Sequence, residues 1–458
     1  MKLHIKNGRL IDPASSVDAQ MDLFVAAGRI VGVGQAPAGF EPNRTIDASG
    51  LAVLPGLVDL AARLREPGFE YRATLETEMR AALAGGVTSL VLPPDTDPPL
   101  DEPGLVEMLK HRARQLNHAH LYPLGAMTIG LKGEVITEMA ELTEAGCVAF
   151  SQADTPVTDT TVLLRAMQYA HTFGYALWLR PQDPWLSRGG VAASGAYASR
   201  LGLPGVPVQA ETIALHTLLE LQRSVGVRLH LCRISSAPAL EMVRAAKREG
   251  LPVTCDVSAN HVHLTDVDIG FYDSNFRLEP PLRGQRDRDA IRAALVDGTI
   301  DAICSDHTPV DDDGKMLPFG DAEPGATGLE LLLSLTLKWA DEAGVPLVQA
   351  LHDDDDGRLL VVDAGWQRLQ KRQFGGEQCR IAVRVVGAER IIEDDAIAAC
   401  AGHRRERHRL AKASPVVLEL RLGVLVARER DRPPLLIPVG LDQAPAFHVV
   451  ADRQILLV

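Results

Sequence analysis

A chain of 458 residues, 46% hydrophobic and 23% charged, can bury a large core and fits one barrel-sized domain with a small satellite. Its net charge of -13 argues against nucleic acid or a membrane surface as the main partner, because both reward a basic face. The opening Met1–Gly8 has no apolar core of signal-peptide length and no stretch is built to span a bilayer. Six scattered cysteines (Cys147, Cys232, Cys255, Cys304, Cys379, Cys400) show no CxxC pairing, so a cytoplasmic setting is expected.

Residues 1–50 read as short strands, Leu3 to Ile5, Leu10-Ile11, Met21 to Val25 and Ile30 to Val33, with Asn7-Gly8 and Ala27-Gly28 supplying turns. This predicts a small β-lobe. From residue 51 apolar runs alternate with amphipathic stretches. Strands are expected near Leu54, Val87, Leu121, Cys147, Tyr175, Val227, Val253 and Ile300. Helices are expected at Tyr71–Ala84, Pro103–Leu116, Thr160–Thr172, Gln209–Ser224, Ala237–Arg248 and Asp287–Val296. Short, wholly apolar strands suit a parallel sheet buried on both faces, and eight such units suit an α/β fold of the (β/α)8 TIM-like barrel type with a small β-sandwich lobe. The expected division is a lobe at 1–50, a barrel at 51–351 and an atypical tail at 352–458. Chemistry should then sit where the strands end.

The first strand closes with Asp59-Leu60-Ala61-Ala62-Arg63-Leu64-Arg65-Glu66-Pro67-Gly68, which resembles the Asp-x-His-x-His-x-Arg-Glu-Pro-Gly signature of dihydroorotases among the cyclic amidohydrolases. The resemblance runs to about residue 350 and includes Asn7-Gly8-Arg9-Leu10-Ile11-Asp12-Pro13, Asn275, Pro280-Pro281-Leu282-Arg283 and Thr327-Gly328-Leu329-Glu330. It implies a metal held by histidines and an arginine that pairs with the substrate carboxylate. Here Ala61 and Arg63 stand at the histidine positions, while Arg65 matches the arginine. Asp95 stands where the family's asparagine touches substrate, and Ser151 near the position of its acidic ligand on strand four. Arg180 and Arg233 stand where it has histidines on strands five and six. In Ser305-Asp306-His307-Thr308-Pro309, Asp306 matches the aspartate that serves as general acid/base and metal ligand.

Alanine offers no lone pair and arginine stays cationic, so these positions give a divalent ion no purchase. Without a metal to acidify water, the expectation is a non-catalytic chain without cofactor, Asp306, Arg65, Asp95 and Asn275 being vestigial. The three arginines are expected to converge and to pair with Asp306 or Asp59. The wording Pro93-Pro94-Asp95-Thr96-Asp97-Pro98 resembles inactive dihydroorotase homologues that accompany aspartate carbamoyltransferase. This implies a structural subunit in a hetero-oligomer with that enzyme's catalytic chain, in pyrimidine biosynthesis. Two rival readings stand beside it, an active cyclic-amide hydrolase with an atypical site and a sensor of small anions built on the three arginines.

Other groups have plainer readings. His118-Ala119-His120 precedes the third strand, away from the mouth, and His261-Val262-His263 lacks converging partners. Asp311-Asp312-Asp313 and Asp353-Asp354-Asp355-Asp356 lack calcium-loop spacing. Beyond Leu351 the resemblance stops, and the arginine-rich run Arg404-Arg405-Glu406-Arg407-His408-Arg409 suggests a frameshifted or divergent extension of low order.

Overall fold

The computed structural model describes residues 1–15, 17–351 and 384–386. The expectations for the tail, including the frameshift, the acidic run Asp353–Asp356, Cys379 and Cys400, otherwise lie outside the described residues.

Contacts divide the chain into two compact units, one built on Met1–Gly56 and the other beginning at Leu57. In the first, β1 (Lys2–Asp12) pairs antiparallel with β2 (Val17–Ala26), which pairs with β3 (Arg29–Val33). On its other edge β1 runs parallel to β4 (Arg44–Asp47) and β5 (Ala52–Leu54), and the strand Arg384–Val386 lies antiparallel to β5. Leu3, Ile5, Leu10, Leu23, Val25 and Val53 form the core of this sheet. The expected turn at Asn7-Gly8 is instead a bulge within one long strand. Asn7 takes a φ of 63°, and a Cβ on Gly8 would sit 2.7 Å from Val53 Cγ2.

The second unit carries the parallel strands. Its first is β6 (Leu57–Asp59), whereas the apolar run at Leu54 belongs to β5 of the lobe sheet; Pro55-Gly56 separates them. There follow β7 (Val87–Leu92), β8 (His120–Pro123), β9 (Gly125–Ala126), β10 (Phe150–Ser151) and β11 (Ala176–Leu179). A two-residue pair, β12 (Ala192–Ala193) and β13 (Gly205–Val206), lies in the next connection. Then come β14 (Arg228–Leu231), β15 (Val253–Ser258) and β16 (Ala302–Cys304). The ladder comes in two pieces, β6-β7-β8 and β9-β10-β11-β14-β15-β16. At one seam the chain passes from β8 to β9 through Leu124, whose N–H donates to Leu92 O at 2.9 Å. At the other, Ala62 bridges to His307, with Arg63 N donating to His307 O at 2.8 Å. Every residue of β7 is buried, as a strand covered on both faces requires.

The connecting helices are α1 (Leu75–Ala84), α2 (Pro103–Leu116), α3 (Met139–Ala145), α4 (Thr160–Phe173), α5 (Ala196–Leu201), α6 (Gln209–Val225), α7 (Ala237–Arg248), α8 (Ala259–His263) and α9 (Gln285–Val296). α1 starts four residues later than its pattern suggests, because Thr74 and Thr77 form a capping box. α3 was not foreseen. Among the described residues no helix is long and apolar enough to cross a membrane.

Gly85 ends α1 where a Cβ would stand 2.0 Å from Leu329 O, a backbone atom with little freedom to retreat. Gly85→Ala is expected to cost about 1–3 kcal/mol and to lower the melting temperature, measured by thermal denaturation. An unchanged melting curve would show that the packing here is looser than described.

Candidate active site at the barrel mouth

The ends of the parallel strands bring together a buried network of charges. Arg63 follows β6, Arg180 follows β11 and Arg233 follows β14; the three side chains are only 5–6% exposed. Removing three guanidinium groups from water is costly unless carboxylates meet them. Asp154, in the loop after β10, meets all three. It lies 2.7 Å from Arg63 Nη2, 2.7 Å from Arg180 Nε and in short contact with Arg233 Nη2. Asp95 accepts from Arg63 Nε at 2.7 Å, and Glu279 from Arg180 Nη1 at 3.0 Å. Asp306 Oδ1 accepts from Arg233 Nη1 at 3.0 Å and stands 3.8 Å from Arg63 Nη1.

The electrostatics follow from that arrangement. Burial works to raise Asp154, but Arg233, Arg63 and Arg180 outweigh it and hold the carboxyl well below its ordinary range. Burial likewise works to lower Arg233, and Asp154 and Asp306 push it the other way, well above the ordinary value. For Asp306 burial wins: despite Arg233 and Arg63 its carboxyl is pushed up to about 6, helped by the negative charge of Asp154.

The scaffold fixes Asp306 through both of its neighbours. Ser305 donates from its N–H at 2.8 Å and from its hydroxyl to Asp59, which among the described residues accepts nothing from the arginines, so of the two expected partners Asp306 is the one they meet. His307 Nε2 sits 2.6 Å from Glu78 Oε2, and Gly328 N–H donates to His307 Nδ1 at 3.1 Å, so Nε2 carries the proton. Arg65, Ala153, Arg233 and Asp306 all adopt positive φ, between 50° and 64°, strained backbone concentrated at the mouth.

Arg65 stands apart. Its Nε donates to Pro309 O at 2.9 Å, and among the described residues no carboxylate lies in ion-pair distance and its Nη atoms make no hydrogen bond. Burial, then the charge of Arg63, lowers it to about 10, so it remains cationic at neutral pH. Asn275 is not drawn in: its Nδ2 and N–H both bind Asp273 Oδ1, at 2.9 and 3.0 Å. Ser151 Oγ accepts from Ala153 N–H at 3.0 Å, and Ala61 is buried.

The side chains at the positions of the expected ligands do not fit a divalent cation, because three guanidinium groups already fill the space and take up the carboxylates around them. A separate trio, His230, Cys232 and Asp256, has its ligand atoms within 4.8 Å of one another. There His230 Nε2 lies 2.9 Å from Asp256 Oδ2 and Nδ1 lies 2.8 Å from Thr254 Oγ1, leaving the imidazole no free nitrogen. His261 and His263 contact the carbonyls of Pro281 and Leu335, and His120 begins β8, at the end away from the mouth. Asp311 precedes the short helix α10 (Asp312–Met316).

Sequence reasoning missed Asp154 and Glu279. The one available signal was indirect, since three clustered arginines demand carboxylates and Asp154 lies three residues beyond the position inspected on strand four.

A barrel of parallel strands with polar residues gathered at their C-terminal ends is the architecture of the amidohydrolases. L-hydantoinase (dihydropyrimidinase) from Arthrobacter aurescens has this fold at a TM-score of 0.66 and 23% identity, covering 76% of this chain and 79% of that one. A D-hydantoinase has it at 0.68 and 22% identity, covering 86% and 89%. A family profile described as dihydro-orotase-like matches residues 50–239. A dihydroorotase-like protein of Pseudomonas aeruginosa is 45% identical over 80% of this chain and 87% of its own length. Proteins named dihydroorotase from Citrifermentans bemidjiense and Anaeromyxobacter dehalogenans are 39% and 41% identical over 80% and 76% of this chain, and 87% and 82% of their own lengths. The chain belongs to the dihydroorotase-like family.

These relatives correct the expectation of a non-catalytic chain. Proteins of about 40% identity over 76–80% of the sequence bear an enzyme's name, which points to an enzyme. The expectation this overturns ran from absent histidines to absent activity, on the premise that a metal is needed to acidify water.

Asp154→Ala would leave three buried cations short of their shared partner and is expected to cost about 3–5 kcal/mol, read by urea denaturation. Because Asp154 is held below its ordinary 3.8, its contribution is present above that pH and lost as pH falls through its lower folded value. The variant should therefore lose less stability than the parent between neutral pH and pH 3. Parallel acid profiles would refute the assignment.

Proposed function

We propose that this chain is a cyclic-amide hydrolase of the dihydroorotate class with an atypical site, in which Asp306 moves the proton and guanidinium groups supply the positive charge. The observation that carries the proposal is a buried carboxyl pushed up to about 6, fixed at the end of β16 between Arg233 and Arg63. A general base is most useful with a pKa near the working pH.

Asp306 in its ionised form would take a proton from water as the water oxygen bonds to the ring carbonyl carbon. Negative charge then develops on the carbonyl oxygen, beside preorganised cations that need no rearrangement to meet it. As the C–N bond breaks, the protonated Asp306 returns the proton to the leaving nitrogen. Arg65, with both Nη atoms open among the described residues, would pair with a carboxylate on the substrate.

The sign of the pH dependence follows. Ring opening needs ionised Asp306 and should rise through about pH 6, whereas ring closure needs its protonated form and should fall through the same pH. The test is turnover of dihydroorotate by chelator-treated protein. Activity that survives chelation, follows that profile and drops at least ~100-fold in Asp306→Asn supports the proposal. Turnover that requires added metal, or none in either direction, refutes it.

Association with the aspartate carbamoyltransferase catalytic chain, in a cytoplasmic hetero-oligomer serving pyrimidine biosynthesis, is a second proposal. It is favoured by the Pro93–Pro98 wording and by the 45% identical relative that is named dihydroorotase-like. Co-expression and size-exclusion chromatography test it: co-elution is expected, and separate elution at micromolar concentrations would count against it.

A further inference from the structure

Beside the charged network, and sharing Arg180 with it, lies a cavity of about 220 Å³, walled by the loops after β10 and β11 and by α4 and α6. It is smaller than the roughly 300–1,000 Å³ of sites for drug-sized ligands, so any occupant is small. Gln182 lines it with a buried Oε1 that has no hydrogen-bond partner among the described residues. A buried acceptor left unmet is unfavourable, and it asks for an N–H or O–H from whatever fills the space. At the rim Trp185 is 71% exposed and Ile213 49% exposed, a large apolar area to leave in water beside a cavity.

The charged walls already have ionic or backbone partners, although Arg180 Nε makes no hydrogen bond among the described residues. Arg180 is met by Asp154 and Glu279, and Asp183 Oδ1 accepts from Trp185 N–H at 2.9 Å and Leu186 N–H at 2.8 Å. Neither wall calls for a charged occupant. We propose that this cavity is a binding site for a small, uncharged, planar molecule bearing an amide- or ureide-type N–H, which donates to Gln182 Oε1 while its face packs against Trp185. The site shares Arg180 with the charged network but not Asp306, and it does not rest on the hydrolase reading.

Uracil is a suitable probe, and 1,3-dimethyluracil, which has no N–H, is its control. Calorimetric titration of the full chain is expected to show saturable uracil binding and at least roughly tenfold weaker binding of the dimethyl compound, because an acceptor left unmet rejects it. Gln182→Leu should weaken uracil by a similar factor, and Ala214→Phe, which fills the cavity from α6, should abolish binding. Thermal melting checks that both variants fold. No saturation up to millimolar uracil, equal binding of the two compounds, or full binding by folded Ala214→Phe would each overturn the proposal.

Discussion

The constraint on which the mouth of this barrel depends is the convergence of three buried guanidinium groups on one shared carboxylate. Asp154 touches Arg63, Arg180 and Arg233, which arrive from three different strands. Each arginine alone would be an uncompensated charge in a low-dielectric interior. Gathered on Asp154, with Asp95, Glu279 and Asp306 at the edges, they become a cross-brace that fixes the ends of β6, β11 and β14 relative to the loop after β10. The brace has a chemical consequence. It draws the available counter-charge toward Asp154, and Asp306, deeper and less well matched, keeps its proton to a higher pH.

Around this brace stand buried acids whose hydrogen-bond partners lie outside the arginine cluster. Asp59 accepts from Ser305, Glu78 from His307, and Glu211 from the N–H of Ser235 at 2.7 Å, each binding a strand end from beneath. These acids are buried with their partners supplied locally, so they hold position without joining the cationic cluster. The strained backbone at Arg65, Arg233 and Asp306 persists because such anchors flank it.

Within a family of hydrolases, the arrangement separates two things that usually coincide, the barrel that presents residues at its mouth and the ion that those residues hold. The strand ends still converge on one volume. The side chains that converge carry their own positive charge, already paired with carboxylates. Arg65 extends the same logic outward, since a cation without a carboxylate partner among the described residues stands beside a network that is otherwise internally matched.

The sequence by itself determined the alternation of strands and helices, the family and most of the residues at the mouth, because hydrophobic period and short motifs are local properties. It also gave Arg63, Arg180 and Arg233 as neighbours, since each sits at the end of a strand in a fold whose strand ends converge. It misassigned Leu54, whose apolar run suits either sheet until Pro55-Gly56 is seen to divide them. Only the tertiary structure decided which acid answers the arginines. Asp154 and Glu279 are 125 residues apart and sit in loops without periodicity, and of the two expected partners Asp306 meets Arg233 while Asp59 is claimed by Ser305 from 246 residues away. The raised carboxyl of Asp306 and the unmet oxygen of Gln182 have the same origin. Burial and the placement of distant charges are properties of the assembled interior, and no run of neighbouring residues encodes them.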